Sequence, residues 1–418
     1  MSPEPIRIQD LAEPVLSDHQ RGALAFGEQV ATELSVSAVL TAAVDRSGLD
    51  DFGPDDFRDR LGRWLDEVDR DTDRTGLGRL ILFNDCVRYA ANRLRIHDLL
   101  ARHPEIHDEA IVAPIIVVGL PRSGTTHLVN LIAADSRLRS LPLWESYEPV
   151  PTPGEPATRD ASDPRHQRCA GAWEAMQQTV PFLAAMHPMA PDHVHEELEL
   201  QLPDFTSYEL EWVARVPEWR DHYLATDQTP HYEYLRTVLK ILQWYSPGER
   251  WVLKSPQHLE QLGPLLATFP DATVVVTHRD PVSVIQSAAT MVTYGARMSY
   301  RTTEAEWYLS YWADRIERLL SASVRDRHLV PTDRSVDVLF HEFMADDVAT
   351  VERIYETADL TMTADARSAI ERYRAGHERG RDGQVVYDVR RDFGAEPEAL
   401  RAPFAFYFDR FAVQEEVR

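Results

Sequence analysis

Cysteine is scarce: the chain of 418 residues holds only Cys86 and Cys169, far apart in sequence. Such a pair supplies neither a disulfide framework nor the closely spaced ligands of a zinc site, and free thiols in a reducing cytoplasm are expected. Long hydrophobic runs are missing too. The most apolar stretch, 110–120, is too short to cross a bilayer and is interrupted by Pro114. The first twenty residues are polar and acidic, with Pro3 and Pro5, and lack the basic start and apolar run of a signal peptide. A cytoplasmic protein with no membrane span is therefore expected. Positive charge is also in deficit, with 44 Lys and Arg against 68 Asp and Glu and a formal net charge of −24. A surface this acidic repels nucleic acid and anionic membranes. A polyanionic ligand would have to be held by a local cluster of cations rather than by the overall field.

The apolar fraction of 44% is enough for a substantial core, and the length suits one large α/β domain with an appendage, or two domains. Residues 1–110 read as helical. Within 55–68, Phe57, Leu61, Trp64, Leu65 and Val68 recur at helical spacing, and 78–100 continues in the same manner. No catalytic constellation appears there, and a helical cap or a homo-oligomer surface is its expected role. The pattern changes at Pro114. Residues 115–118 are a continuous β-branched run that suits a strand buried on both faces, followed by a helix over 125–134. Later come a short strand at 251–253, a helix over 257–269, a strand at 273–277 and a helix over 281–291. Asp280 is placed to cap that last helix and Pro281 to start it. Residues 336–340 read as one more strand. This alternation predicts a doubly wound parallel sheet flanked by helices, with ligands at the strand C-termini. Residues 111–418 are expected to form this domain. Residues 149–250, which include a helix over 230–245 capped by Thr229, form an insertion suited to binding an acceptor.

Residues 119–126 read Gly-Leu-Pro-Arg-Ser-Gly-Thr-Thr. Gly119 and Gly124 would let successive N–H groups converge on one anion, and the following helix adds its dipole. A Walker A loop shares this outline but ends Gly-Lys-Ser/Thr. Here Ser123 and Gly124 lead into Thr125 and Thr126, and the basic residue lies inside the loop as Arg122, able to pair with oxygens of a transferred group. A turn that merely contains glycine is the competing reading. The coincidence of buried strand, two Gly, Arg and two Thr argues against it.

Pro-Arg-Ser-Gly-Thr-Thr after a buried strand resembles the 5′-phosphosulfate loop of sulfotransferases that use 3′-phosphoadenosine 5′-phosphosulfate. The pattern is most similar to bacterial sulfotransferases related to the tyrosylprotein sulfotransferases. The fold then implied is P-loop-like, with residues 1–110 as a helical N-terminal extension. The resemblance runs with gaps from about Pro114 to Phe411 and is thin between Pro149 and Arg250. It implies that Arg122, Ser123, Gly124, Thr125 and Thr126 hold the sulfated end of the donor. Arg279, at the end of a buried strand, and Ser287, on the next helix, are spaced like the family's 3′-phosphate site. Physically, such an Arg and hydroxyl can converge on a dianion, although a surface ion pair of Arg279 with Asp280 is the alternative. Residues 376–394 resemble the segment that closes over the donor, with Arg381 as the implied cation and Arg379 close behind. A closing helix over 396–411 follows.

The implied reaction is in-line transfer of a sulfuryl group to a hydroxyl, leaving 3′-phosphoadenosine 5′-phosphate. Catalysis of that kind rests on alignment and electrostatic support. Arg122 and Lys254 are the implied supports, Lys254 lying in a Lys-x-Pro setting at a strand end. A salt-bridged rim lysine is the alternative. For the base, Glu145 follows the loop helix as in the tyrosylprotein enzymes, though the spacing is slightly longer, and an ordinary surface Glu is the alternative. His195 and His258 are further candidates. His193 and His195 would share one face of an extended segment, but no His-Glu-x-x-His pattern exists and no metal is expected. The acceptor expected is a small-molecule alcohol, phenol, lipid or natural-product hydroxyl. A P-loop kinase and a catalytically silent donor-binding relative remain the alternatives.

Overall fold

The computed structural model describes residues 5–158, 160–377 and 383–418. Five parallel strands form one sheet: β1 (Ile115–Gly119), β2 (Leu138–Arg139), β3 (Arg250–Ser255), β4 (Thr273–His278) and β5 (Ser335–Leu339). Their order is β2-β3-β1-β4-β5. The chain passes from β1 to β2 and β3 on one side, then crosses to β4 and β5 on the other. The resulting crevice lies beyond the C-terminal ends of β1, β3 and β4, where a doubly wound sheet binds its ligands. The expected fold class is therefore the observed one.

Burial explains the sequence patterns. β1 and β4 are buried along their whole length, which is why they read as unbroken apolar runs. β5 lies at the edge and alternates instead, with Val336 and Val338 buried and Asp337 exposed. Along β3, Trp251 and Leu253 join the core on one face of the sheet, while Val252 joins the core on the other. By the period of two, Lys254 shares the face of Val252, which the helix Thr125–Ala133 covers.

Helix boundaries were partly legible. Asp280 caps the helix Pro281–Ser299 by accepting from Val282 N at 3.0 Å, as expected, but the helix runs eight residues further than 291. The segment 257–269 is not one helix. It divides into a 3₁₀ turn, Pro256–Glu260, and the helix Leu262–Thr268, because Gln261 leaves helical geometry at φ −128°. The closing segment likewise breaks into Pro397–Arg401, a 3₁₀ turn and Ala405–Phe408, with Pro403 at the break. Thr229 does not cap its helix; Thr229–Tyr245 already includes it.

The helices of residues 1–110 do not close on themselves. Phe57, Leu61, Trp64, Leu65 and Val68 are buried as their spacing implies, together with Leu202, Phe205, Leu210 and Trp219 from the insertion. Cys86 and Cys169 are both free and buried. Among the described residues, no helix is long and apolar enough to cross a membrane.

A buried ionic clamp joins the insertion to the sheet. Arg315, on the helix Ala305–Asp326, is 0% exposed. Its Nε lies 2.8 Å from Glu211 Oε2, and its Nη2 lies 2.6 Å from Glu260 Oε1. Removing one partner of such a cluster leaves uncompensated buried charge. Arg315→Ala is expected to cost about 3–5 kcal/mol of stability, read as a lower urea midpoint at neutral pH.

Candidate active site

The loop 119–126 sits at the crevice. Arg122 has φ 65° and Gly124 φ 89°, two left-handed turns that swing the backbone from β1 into the helix Thr125–Ala133. Gly119 cannot be replaced: a Cβ there would lie 1.9 Å from Thr277 Oγ1. Ser123 joins that contact between the ends of the paired strands β1 and β4. Its Oγ donates to Leu120 O at 2.6 Å and meets Thr277 Oγ1 at 2.8 Å, keying the loop to the end of β4. No side chain caps the start of the following helix, where Thr125 and Thr126 line a cavity. An open helix N-terminus with left-handed glycine geometry behind it is a cradle for an anion.

Lys254 is buried, and its Nζ contacts the Glu196 carboxylate and lies 3.3 Å from Thr126 Oγ1. β2 is only two residues long, so the Lys254 N–H has no strand partner on that side. It donates instead to Glu197 Oε2 at 2.7 Å. The other Glu197 oxygen meets His258 Nε2 at 2.6 Å, and His258 Nδ1 meets the Tyr232 hydroxyl at 2.7 Å. His258 is thus a buried support behind the site. The segment 196–197 therefore fixes both the backbone and the ammonium of Lys254.

Arg279 and Ser287 both meet Arg122. Arg122 Nε donates to Ser287 Oγ at 3.0 Å, and Arg279 Nη1 donates to the Arg122 carbonyl at 2.6 Å. Arg122 further donates to Met186 O, and its Nη2 lies 3.5 Å from the Tyr387 hydroxyl. Arg279 stacks 3.9 Å from the Phe340 ring and pairs with Glu416 rather than with Asp280. Arg381 and Arg379 fall outside the described residues.

Glu145 needs correction as a base. It is buried on the short helix Leu143–Tyr147, and Arg139 takes its carboxylate. It does not line the cavity that holds Arg122, Thr125, Thr126, His195 and Glu196. The carboxylate that contacts Lys254 is that of Glu196. The only signal was its position in the His-Val-His-Glu-Glu run. His195 does reach the cavity. Its Nδ1 is buried without a hydrogen-bond partner, and its ring lies 5.4 Å from that of His187. Burial holds both imidazoles well below their ordinary range, with the neighbouring Lys254 adding to the effect. Both are neutral at physiological pH. Among the described residues no group of three or more His, Cys, Asp and Glu is arranged to hold a metal.

Comparison with known proteins agrees with this geometry. The pattern of the Sulfotransferase family matches residues 114–364. The solved sulfotransferase STF9 from Mycobacterium avium is 27% identical, with a TM-score of 0.83 over 93% of this chain and 100% of that one. Sulfotransferase STF1 from Mycobacterium tuberculosis H37Rv is 29% identical, with a TM-score of 0.77 over 91% and 100%. No curated protein sequence matches the chain.

The two neutral imidazoles make stability depend on pH. Their folded pKa values lie below the ordinary 6.5, so between the two values the unfolded chain binds more protons. Their contribution is present above 6.5 and is lost as pH falls through the folded values. Urea midpoints at pH 7.5 and 5.5 should therefore differ more in the wild type than in the double variant His187→Gln, His195→Gln. An equal difference in both proteins would show that the imidazoles are not buried in neutral form.

Proposed function

Because the chain belongs to the sulfotransferase family, we propose that it moves a sulfuryl group from 3′-phosphoadenosine 5′-phosphosulfate to the hydroxyl of a small-molecule acceptor. The observation that carries this reading is the convergence of Lys254 Nζ and Thr126 Oγ1 at the mouth of the loop, 3.3 Å apart. The donor, when bound, supplies an activated sulfuryl group on a good leaving phosphate. The residues present fit it. The open helix start at Thr125 and Thr126, the turn at Gly124 and the guanidinium of Arg122 suit its 5′ end. Arg279 and Ser287 suit its 3′-phosphate.

The chain's own groups then have separable tasks. Lys254, held by Glu196 and Thr126, supports negative charge that develops at the transferred group and leaving oxygen, and its buried position strengthens that support. Ser123 is a brace for the loop rather than a ligand, since its hydroxyl is engaged with Leu120 and Thr277. We assign the base role to Glu196, whose carboxylate lines the cavity next to Lys254, with the neutral imidazole of His195 beside it in sequence on the same cavity wall.

Calorimetry with adenosine 3′,5′-bisphosphate tests the donor. The wild type should bind it without magnesium, and Arg279→Ala should weaken binding at least about tenfold, as loss of a charge-assisted pair does. Glu196→Gln should keep that affinity while lowering kcat by about 10²–10⁴. Magnesium-dependent binding of ATP in its place would favour a kinase. Nucleotide binding with no turnover that responds to Glu196→Gln or Lys254→Ala would favour a silent relative.

A further inference from the structure

The cavity that begins at the loop continues far beyond the reacting groups. Its volume is about 630 Å³, within the size range of drug-sized ligand sites. It passes between the helix Gly76–Arg102, which supplies Ile81 and Leu82, the helix Pro164–Thr179, which supplies Met176, and the helix Pro281–Ser299, which supplies Met291 and Met298. Methionine walls are soft and accommodate irregular apolar bodies. Away from Glu196, the two further acidic groups on the wall, Asp85 and Glu209, are pushed upward by burial, which favours their neutral forms.

We propose that this cavity is the acceptor site, and that it takes a neutral alcohol with a large apolar body, of the lipid or polycyclic class. The proposal rests on the sulfotransferase reading above and narrows it. A monosaccharide would leave the apolar wall uncovered and its own hydroxyls unpaired. A single phenol ring would leave most of the volume unfilled. The acceptor oxygen forms a new bond to sulfur as the sulfur–oxygen bond to the donor phosphate breaks, and the hydroxyl proton passes to Glu196. Residues 1–110 acquire a role in this assignment, because their longest helix forms one wall.

The test is a radiolabelled-donor assay with cholesterol, hexadecan-1-ol, glucose and a tyrosine peptide. At least one of the first two should exceed both others in kcat/KM by about 100-fold, and which of the two does so separates a polycyclic from a linear body. Met291→Trp and Met176→Trp, which fill the cavity away from the reacting groups, should lower that kcat/KM by about tenfold or more while leaving adenosine 3′,5′-bisphosphate affinity unchanged. A preference for glucose or the peptide, or no turnover of either apolar alcohol, overturns the acceptor assignment. Absence of nucleotide binding defeats the underlying donor reading instead.

An independent observation concerns Arg279. Both oxygens of the Glu416 carboxylate pair with its guanidinium, at 2.8 and 2.6 Å, and one lies 3.4 Å from Ser283 Oγ. The segment is pinned where it crosses Asp280. The carboxylate of Asp280 accepts Glu416 N at 2.8 Å and Val417 N at 3.3 Å, and Arg401 reaches Val417 O. We infer that Glu416 is an internal occupant of the 3′-phosphate site, a carboxylate standing where the ligand's phosphate would bind, so that the donor must displace this segment. This inference also rests on the donor reading. Glu416→Gln should tighten adenosine 3′,5′-bisphosphate by about tenfold, the factor expected if the wild-type site is open one-tenth of the time. It should leave the affinity for adenosine 5′-phosphosulfate, which lacks the 3′-phosphate, unchanged. If Arg279→Ala weakens the bisphosphate but Glu416→Gln does not tighten it, Glu416 is only a surface partner of Arg279. Tightening of both ligands equally would also overturn the inference, by showing that the substitution acts elsewhere.

Discussion

The ammonium of Lys254 is the point on which the site depends. It is buried at the end of a central strand, and an ammonium so placed is tolerable only with a close anion and further polar contacts. Glu196 and Thr126 provide them, and in doing so join three separate parts of the chain: strand β3, the insertion and the loop helix. Glu197, one residue on, satisfies the Lys254 backbone, so neighbouring carboxylates fix both ends of the same residue. The insertion is thereby positioned by the site it helps to form, and the Arg315 clamp holds it again through Glu211.

The other cations of the crevice follow the same rule. Arg122 is oriented by Ser287 and by the Met186 carbonyl, and Arg279 by Glu416 and the Arg122 carbonyl. In a protein with a net charge of −24, attraction of an anion from a distance is weak. Recognition must come from donors already gathered at one place, at Arg279 once Glu416 has given way.

Much of this could be read from the chain. The strand 115–118 and the loop after it carried both the fold and the anion cradle, because full burial leaves an unbroken β-branched run and because left-handed turns call for glycine. Arg279 and Ser287, which both meet Arg122, stood out through the spacing of one strand-to-helix unit. Glu196 was not, since it comes within reach of Lys254 across 58 residues of sequence, and nothing local announces such a contact. Glu145 misled for the converse reason: its place after the loop helix fitted, but Arg139, six residues before it, had already claimed the carboxylate. Strand β2 escaped notice because two residues cannot show a period, and the helices after Pro256 and Pro397 are interrupted at Gln261 and Pro403.

Arg315 and Arg279 show that structural ion pairs here fall largely to arginine. The chain contains just two lysines, Lys240 and Lys254. Lys240 lies apart from the crevice and donates to the His107 carbonyl at 2.6 Å. Amine-directed chemistry therefore meets only two side chains, one on a helix remote from the crevice and one buried beside Thr126 in the crevice. The degree of acylation at Lys254 then reports on the crevice, and Lys240 serves as the internal standard.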